Sequence, residues 1–568
     1  MKSYKVRKAL NEAEKEQLKS YPEFLQHLLH HRGLRSEEAA EEFLFPQYEK
    51  GVHDPYLMKD MEKAVTRIIE AIEKGEKTVI FSDFDADGIP GAVILHDFFK
   101  KIGYENFENY IPDRHNEGYG LNLEAIQKFK DLNASLLITI DCGISNFKEI
   151  EKANELGIDV IITDHHLPHK KLPPAFAILN SKQEDCSYPF KMLCGAGVVF
   201  KLIQAILKKS RYSIKEGMEK WYLDMVGFAT LSDMVPLQGE NRIFAHYGLM
   251  VLRKSPRPGL LELFRRTDIN PRFLSEDDIS FSLTPKINAA SRMGSPIEAF
   301  ELLHTSDVVR ARELSESLIK LNDERKGVVA GMIREMKKAI ENRADQIGEV
   351  IVLGNPKWRP SLLGLCANNL ADEFQKPVFL WGREGSGLLK GSGRSNGLID
   401  LSVLMNEASS EIILEYGGHA YAGGFSVAPD KIHLLEVELN KAYLKAKVEA
   451  VLTEDFVDKK ISIDEVNWDI YKLIEKLAPY GEGNPKPVFL LENLEINEVK
   501  NFGKTNNHLE LSFLNQLGKR VKAIGFFMSE QFSHKSLAAG DKINLVATFE
   551  KSNFRNYPEL RLRIVDII

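Results

Sequence analysis

A short apolar run that ends in an aspartate and gives way to a helical pattern occurs three times between residues 78 and 164. Thr78-Val79-Ile80-Phe81-Ser82 precedes Asp83, Leu136-Leu137-Ile138-Thr139-Ile140 precedes Asp141, and Asp159-Val160-Ile161-Ile162-Thr163 precedes Asp164. Residues 226–232, followed by Asp233, read as a looser fourth copy. Nearly unbroken apolar runs fit strands buried on both faces. Such strands alternating with helices, as at residues 145–156, form a parallel α/β sheet. Ligands of these sheets bind outside the carboxyl ends of the strands, so the pattern predicts several carboxylates converging at one edge.

The rest of the chain is organised around this block. Residues 1–59 read as a helical segment, with Ser36 as an N-cap and Pro46 as a stop. A helix follows at 60–74, with Met61, Ala64, Val65, Ile68, Ile69 and Ile72 at helical spacing. Residues 306–345 form a charged connector helix. A second, smaller α/β region at 346–453 carries two Gly-rich runs, and the alternating pattern at 454–568 fits a small β barrel. The expected architecture is therefore α/β, with a parallel-sheet domain at 60–305, a connector helix, a smaller α/β domain and a C-terminal barrel.

Composition narrows the class. The 568 residues carry a formal charge of −7, with 43% hydrophobic and 28% charged residues, the profile of a soluble globular chain. The sequence predicts no membrane span and no secretory leader. Four cysteines without a CxxC spacing give neither a disulfide framework nor a zinc knuckle, which points to a reducing cytoplasm. The acidity argues against a surface that clings to nucleic acid everywhere, and leaves room for a local basic channel.

Asp83-Phe84-Asp85-Ala86-Asp87-Gly88 sets three carboxylates on alternate positions, which share a face in extended chain. Such charges repel unless a cation lies between them. An isolated cluster of this kind also reads as a solvated acidic turn. An EF-hand is poorly supported because Ile94 stands where the loop's last glutamate belongs. A phosphatase-type nucleophilic aspartate is a further option. Asp164-His165-His166 shifts the balance, since two imidazoles beside an aspartate at a strand end are hard to assign to packing. Carboxylates with one or two imidazoles favour Mn²⁺ or Mg²⁺, and a pair of such ions suits phosphoester hydrolysis.

With these motifs in place, the chain resembles the DHH phosphoesterase superfamily and, within it, the RecJ family of bacterial single-strand-specific 5′→3′ DNA exonucleases. The resemblance also rests on Ile111–Asn122, Asp141-Cys142-Gly143-Ile144, Cys194–Val198, Asp233-Met234-Val235-Pro236-Leu237 and Asn288–Met293. It continues through Gly391-Ser392-Gly393-Arg394-Ser395, Gly417–Gly424 and Pro479–Pro485. It implies a DHH catalytic domain, a DHHA1-type substrate-binding domain and an OB-fold nucleic-acid-binding domain. It further implies two Mn²⁺ or Mg²⁺ ions held by Asp83, Asp85, Asp141, His165 and Asp233, with Asp141 as the bridge. Asp87, Asp164 and His166 would orient ligands or move protons, and Arg292 would lie near the scissile phosphate. Arg114, Tyr119 and Asn288 would contact substrate, Ser392 and Arg394 would take the 5′-terminal phosphate, and His419 would face the site across the cleft.

The family's partners are single-stranded DNA, a helicase and a single-strand-binding protein, with no membrane, and the chain is expected to be a monomer. From Val499 to Ile568 there are 11 Lys and Arg against 6 Asp and Glu. Phe502, Phe526, Phe527, Phe554 and Tyr557 offer stacking faces there, with Phe554 and Tyr557 the better placed. Two departures stand out. Pro90-Gly91 occupies a position where the family usually has Thr or Ser, and Trp358-Arg359-Pro360-Ser361 replaces a Trp-His-x-Gly run. The alternatives are a related phosphodiesterase acting on nanoRNA, pAp or cyclic dinucleotides, or a catalytically weak single-strand-binding scaffold.

Overall fold

The computed structural model describes residues 4–568 except 211, 344–346, 384–387, 396, 398, 419, 447–454, 504, 529–536 and 553–557. The chain divides into two compact units. One comprises Met1–Val52, Met234–His246 and Glu454–Ile568, and the other His53–Asp233 and Tyr247–Thr453. The first strand, β1 (Tyr4–Val6), pairs in parallel with a strand at Asp455–Val457 within the first of these units.

The larger unit is built on a five-stranded, all-parallel sheet. Its strands are β2 (Lys77–Ser82), β3 (Phe107–Tyr110), β4 (Ala134–Ile140), β5 (Asp159–Thr163) and β6 (Ala177–Leu179), in the order β3-β2-β4-β5-β6. Alternate residues explain the unbroken apolar runs. Val79, Phe81, Leu137, Val160 and Ile162 pack with Ile126, Phe129 and Ile150 of the helices Leu123–Asp131 and Phe147–Glu155. Their neighbours Ile80, Ile138 and Ile161 are equally buried, which the strand pleat directs to the opposite face.

One expectation fails here. Residues 226–232 do not form a strand; they lie in the helix Leu223–Ser232, and Asp233 caps its C-terminal end. Every residue from Leu223 to Leu231 is buried, so no polar stripe marks the segment as a helix. The strands of this sheet that the sequence reading missed are β3 and β6, four and three residues long, and the segment read as helical at 1–59 opens on the strand β1.

The helix Val308–Glu341 runs 34 residues, as the charge pattern predicts. Its Met332, Met336 and Ile340 join a core with Trp358, Leu363 and Leu380 of the following domain. That domain holds β7 (Ile351–Gly354), β8 (Val378–Arg383), β9 (Leu389–Arg394), β10 (Ile413–Gly418) and β11 (Ala422–Val427), in the order β10-β11-β9-β8-β7. The helix Pro360–Phe374 packs against β8 and β9.

In the smaller unit, β12 (Asp455–Val457) is the partner of β1. A seven-stranded sheet contains β13 (Lys459–Lys460), β14 (Phe489–Glu495), β15 (Glu498–Phe502), β16 (His508–Leu514), β17 (Arg520–Gly525), β18 (Lys542–Ser552) and β19 (Glu559–Ile567). Leu25, Leu28 and Leu29 of the helix Glu23–His30 share its core with Phe489, Leu511 and Leu545. Ser36 does cap its helix, accepting from the Ala39 amide. Among the described residues no helix is long and apolar enough to cross a membrane.

Candidate active site

Asp83, Asp141 and Asp164 follow directly on β2, β4 and β5, three adjacent strands, at their carboxyl ends. The acidic run after β2 is not extended, contrary to the alternation read from sequence. It turns into the helix Gly88–Lys101, and Asp85 Oδ1 accepts from the amides of Asp87 (2.9 Å) and Gly88 (3.2 Å). Asp87 points elsewhere: its carboxylate accepts from the Gly195 (2.6 Å) and Ala196 (2.8 Å) amides at the start of the helix Gly195–Lys209. A helix N-terminus favours an anion there. Close approach requires glycine at both turns, since a Cβ would lie 2.6 Å from the Asp83 carbonyl oxygen at Gly88 and 2.7 Å from Asp141 Cβ at Gly195.

Three overlapping sets of ligand atoms result: Asp83, Asp85 and Asp141; Asp141, His165 and His166; and Asp87, His165 and Asp233. Within each set the atoms lie within 4.8 Å of one another. Asp141 and His165 each belong to two sets. His165 Nε2 is 3.1 Å from Asp141 Oδ1, 3.6 Å from Asp233 Oδ2 and 3.7 Å from Asp87 Oδ2.

The electrostatics ask for cations. Burial, and then the neighbouring carboxylates, push Asp83, Asp141 and Asp233 well above the ordinary carboxylate range. Burial likewise carries Asp87 up to about 6, against its two backbone hydrogen bonds. Asp83 Oδ1 and Asp141 Oδ1 are buried without an aligned hydrogen-bond donor. A buried, unpaired carboxylate oxygen is costly unless it is neutralised. Divalent cations suit this oxygen-rich donor set with its added imidazole, so the residues fit Mn²⁺ or Mg²⁺.

The Asp-His-His motif splits into two roles. Asp164 is wholly buried, and its carboxylate accepts from His165 N, His166 N, His166 Nδ1 (2.7 Å) and Ile144 N. Burial opposes its ionisation, but the His166 hydrogen bond and charge hold it at about 2. Burial also opposes protonation of His166, and the bond to Asp164 outweighs it, raising His166 to about 9. Burial and the adjacent His166 drive His165 down to about 3, leaving its ring neutral and available as a ligand. Tyr119 OH donates to the Asp141 carbonyl (3.1 Å) and lies 3.3 Å from His166 Nδ1.

The comparisons with known proteins fit this geometry. Residues 77–230 match the DHH family, N-terminal domain, residues 348–446 the DHHA1 domain and residues 457–566 the RecJ OB domain. The chain is 34% identical over 547 residues to the single-stranded-DNA-specific exonuclease RecJ of Bacillus subtilis (strain 168), covering 95% of this chain and 67% of that one. To RecJ of Haemophilus influenzae it is 31% identical, covering 91% and 92% of the two chains. The chain belongs to the RecJ family. The crystal structure of RecJ in complex with Mn²⁺ from Thermus thermophilus superposes with a TM-score of 0.82 at 25% identity, covering all of this chain and 79% of that one. A second structure, exonuclease RecJ bound to manganese, covers 69% of this chain and 97% of its own, with a TM-score of 0.58 and 29% identity.

In this RecJ-family chain the remaining candidates fall into three groups. Arg292 lies on the helix Thr284–Met293, and its Nη1 donates to the Ser361 carbonyl at 2.6 Å. Burial, with Arg114, Arg325 and Arg394 nearby, pulls its guanidinium down to about 9. Arg114 stacks over Phe84, 4.8 Å from the ring centre. Arg394 Nη1 donates to Ser392 Oγ (2.9 Å) on the same face of β9. Asn288 Oδ1 accepts from the Ala86 amide at 2.9 Å and so braces the acidic turn. His419, Phe554 and Tyr557 lie outside the described residues. Phe527 is 73% exposed, whereas Phe526 is capped by Arg563 at 4.0 Å.

Sequence reading missed Asn180, which follows β6 and is fully buried; its Nδ2 donates to the His166 carbonyl at 2.8 Å. The three-residue strand before it was too short to register. Of the two departures, Gly91 faces Ile140, whose Cγ2 would lie 2.7 Å from an added Cβ, and Arg359 points at Met293 Sδ, 4.0 Å away.

Proposed function

We propose that the chain is a metal-dependent exonuclease that degrades single-stranded DNA 5′→3′ to 5′-mononucleotides, in recombination and repair. The observation that carries this reading is the overlap of the three ligand sets through Asp141 and His165, whose other donors are four carboxylates and His166. Asp83, Asp85, Asp141, His165 and Asp233 would hold two Mn²⁺ or Mg²⁺ ions. Such a pair, when bound, lowers the pKa of water and neutralises both the attacking and leaving oxygens of an in-line displacement.

The chain's own groups do the rest. Asp164 fixes the His166 ring, and His166 with Tyr119 can hand a proton toward the leaving oxygen. Asp87 is anchored to the helix Gly195–Lys209 and keeps its carboxylate beside His165, so it positions rather than binds. Arg292 and Arg114 present guanidinium groups to the scissile phosphodiester. Ser392 and Arg394 take the terminal 5′ phosphate, so the chain counts from that end and releases one nucleotide at a time.

Action alongside a helicase and a single-strand-binding protein follows from the family reading. The four buried, unpaired cysteines support a cytoplasmic setting. The test offers the protein and Mn²⁺ three substrates: single strand, blunt duplex and a cyclic dinucleotide. Metal-dependent cleavage of the single strand alone is expected. Preference for the dinucleotide would move the chain to another branch of the superfamily, and no cleavage of any substrate would leave a binding scaffold.

A further inference from the structure

The residues assigned to the terminal phosphate, Ser392 and Arg394, lie two apart on β9. A strand's pleat sends i, i+2 and i+4 to one face, so Lys390 shares that face. The burial pattern agrees: Leu389 and Gly393, which point the other way, are buried, while Lys390 is exposed. Lys390 therefore extends the row one step beyond Ser392, roughly 6.5 Å along the strand.

That step leads toward the catalytic domain. A Cβ built on Gly118 would stand 4.0 Å from Lys390 Nζ. Gly118 has φ +80°, a conformation that glycine reaches without strain. It sits in the loop that carries Arg114 on one side and Tyr119 on the other, and Tyr119 touches both Asp141 and His166. Glu117 ties this loop to β3, accepting from the Asp113 amide (2.8 Å) and from Tyr110 OH. No carboxylate pairs with Lys390 among the described residues, although salt bridges are common elsewhere on this surface.

A cation without a carboxylate partner among the described residues thus lies between a terminal-phosphate pocket and a metal centre. The geometry points to Lys390 as a binding residue for a backbone phosphodiester of the strand, reached across from the second domain and distinct from the terminal phosphate. This rests on the exonuclease reading above and adds a contact to it. A lysine suits the role, because a compact, mobile ammonium meets one phosphodiester oxygen without demanding a fixed fork geometry.

The experiment compares the unmodified chain, Lys390→Ala, Lys390→Arg and Arg394→Ala on 5′-phosphorylated and 5′-hydroxyl single strands with Mn²⁺, across a range of KCl. Lys390→Ala should raise KM by roughly tenfold on both ends alike. It should flatten the slope of log KM against log salt by about 0.7, one phosphate contact on a single strand. Lys390→Arg should restore most of both. Arg394→Ala should lose affinity only for phosphorylated ends. An unchanged salt slope, or a loss confined to phosphorylated ends, overturns the assignment while leaving the exonuclease reading intact. If the unmodified chain cleaves no single strand, the reading itself fails first. An unchanged unfolding midpoint is expected for Lys390→Ala, since the side chain is exposed.

Discussion

Asp141 concentrates the conflict on which the site is built. It holds a left-handed backbone, φ +59°, at the end of β4, and its carboxylate is buried among four others. Asp and Asn tolerate that conformation better than alanine does. Asp141→Asn is therefore the clean variant. It should lower cleavage by roughly 1,000-fold or more. It should leave the unfolding midpoint of the metal-free chain equal or higher, because a like charge has been removed. Single-strand binding, read by anisotropy, should survive. Substantial cleavage by Asp141→Asn would show that the ligand assignment is wrong. Aspartates at strand ends could be read from the sequence because the apolar run and the charge sit side by side. The division of labour within Asp164-His165-His166 could not, since it depends on which carboxylate oxygen meets the Ile144 amide, a contact 20 residues away.

Among the elements, those with an amphipathic or two-faced signature were visible in advance: β2, β4, β5 and the 34-residue helix. The helix Leu223–Ser232 was misread because full burial erased its period, and the misreading set Asp233 at a strand end where the structure has a helix end. The consequence is small, because Asp233 still reaches His165. The helix Gly88–Lys101 carries a second feature that no sequence pattern exposed. His96 packs on Phe107, Phe300 and His304, and Asn109 meets its Nδ1 at 2.7 Å. Burial, followed by His304 and Lys100 and opposed by Glu105, lowers His96 to about 4. A folded pKa below the unfolded value of about 6.5 means that the neutral ring stabilises the fold above that pH. That contribution fades as pH falls toward about 4. The unfolding midpoint of the unmodified chain should drop over this window more steeply than that of His96→Gln. Parallel curves for the two would remove His96 from the acid response.

For the whole molecule, the formal charge of −7 does not describe what a nucleic acid would meet. Carboxylates gather around Asp141, while Arg114, Arg325 and Arg394 lie within electrostatic reach of Arg292, and the last 70 residues carry an excess of cations. Domain order was readable because each domain has its own period, and the family likeness covers nearly the full chain. The central claim is that this arrangement digests a single strand from its 5′ end, with carboxylate-held metal ions supplying the chemistry. It is tested most directly by following one oligonucleotide labelled at the 5′ end and, separately, at the 3′ end, with Mn²⁺ and with chelator. The account predicts labelled mononucleotide at the earliest times from the 5′ label, a shortening ladder from the 3′ label, and neither in chelator. Early mononucleotide from the 3′ label, or unchanged digestion in chelator, would contradict it.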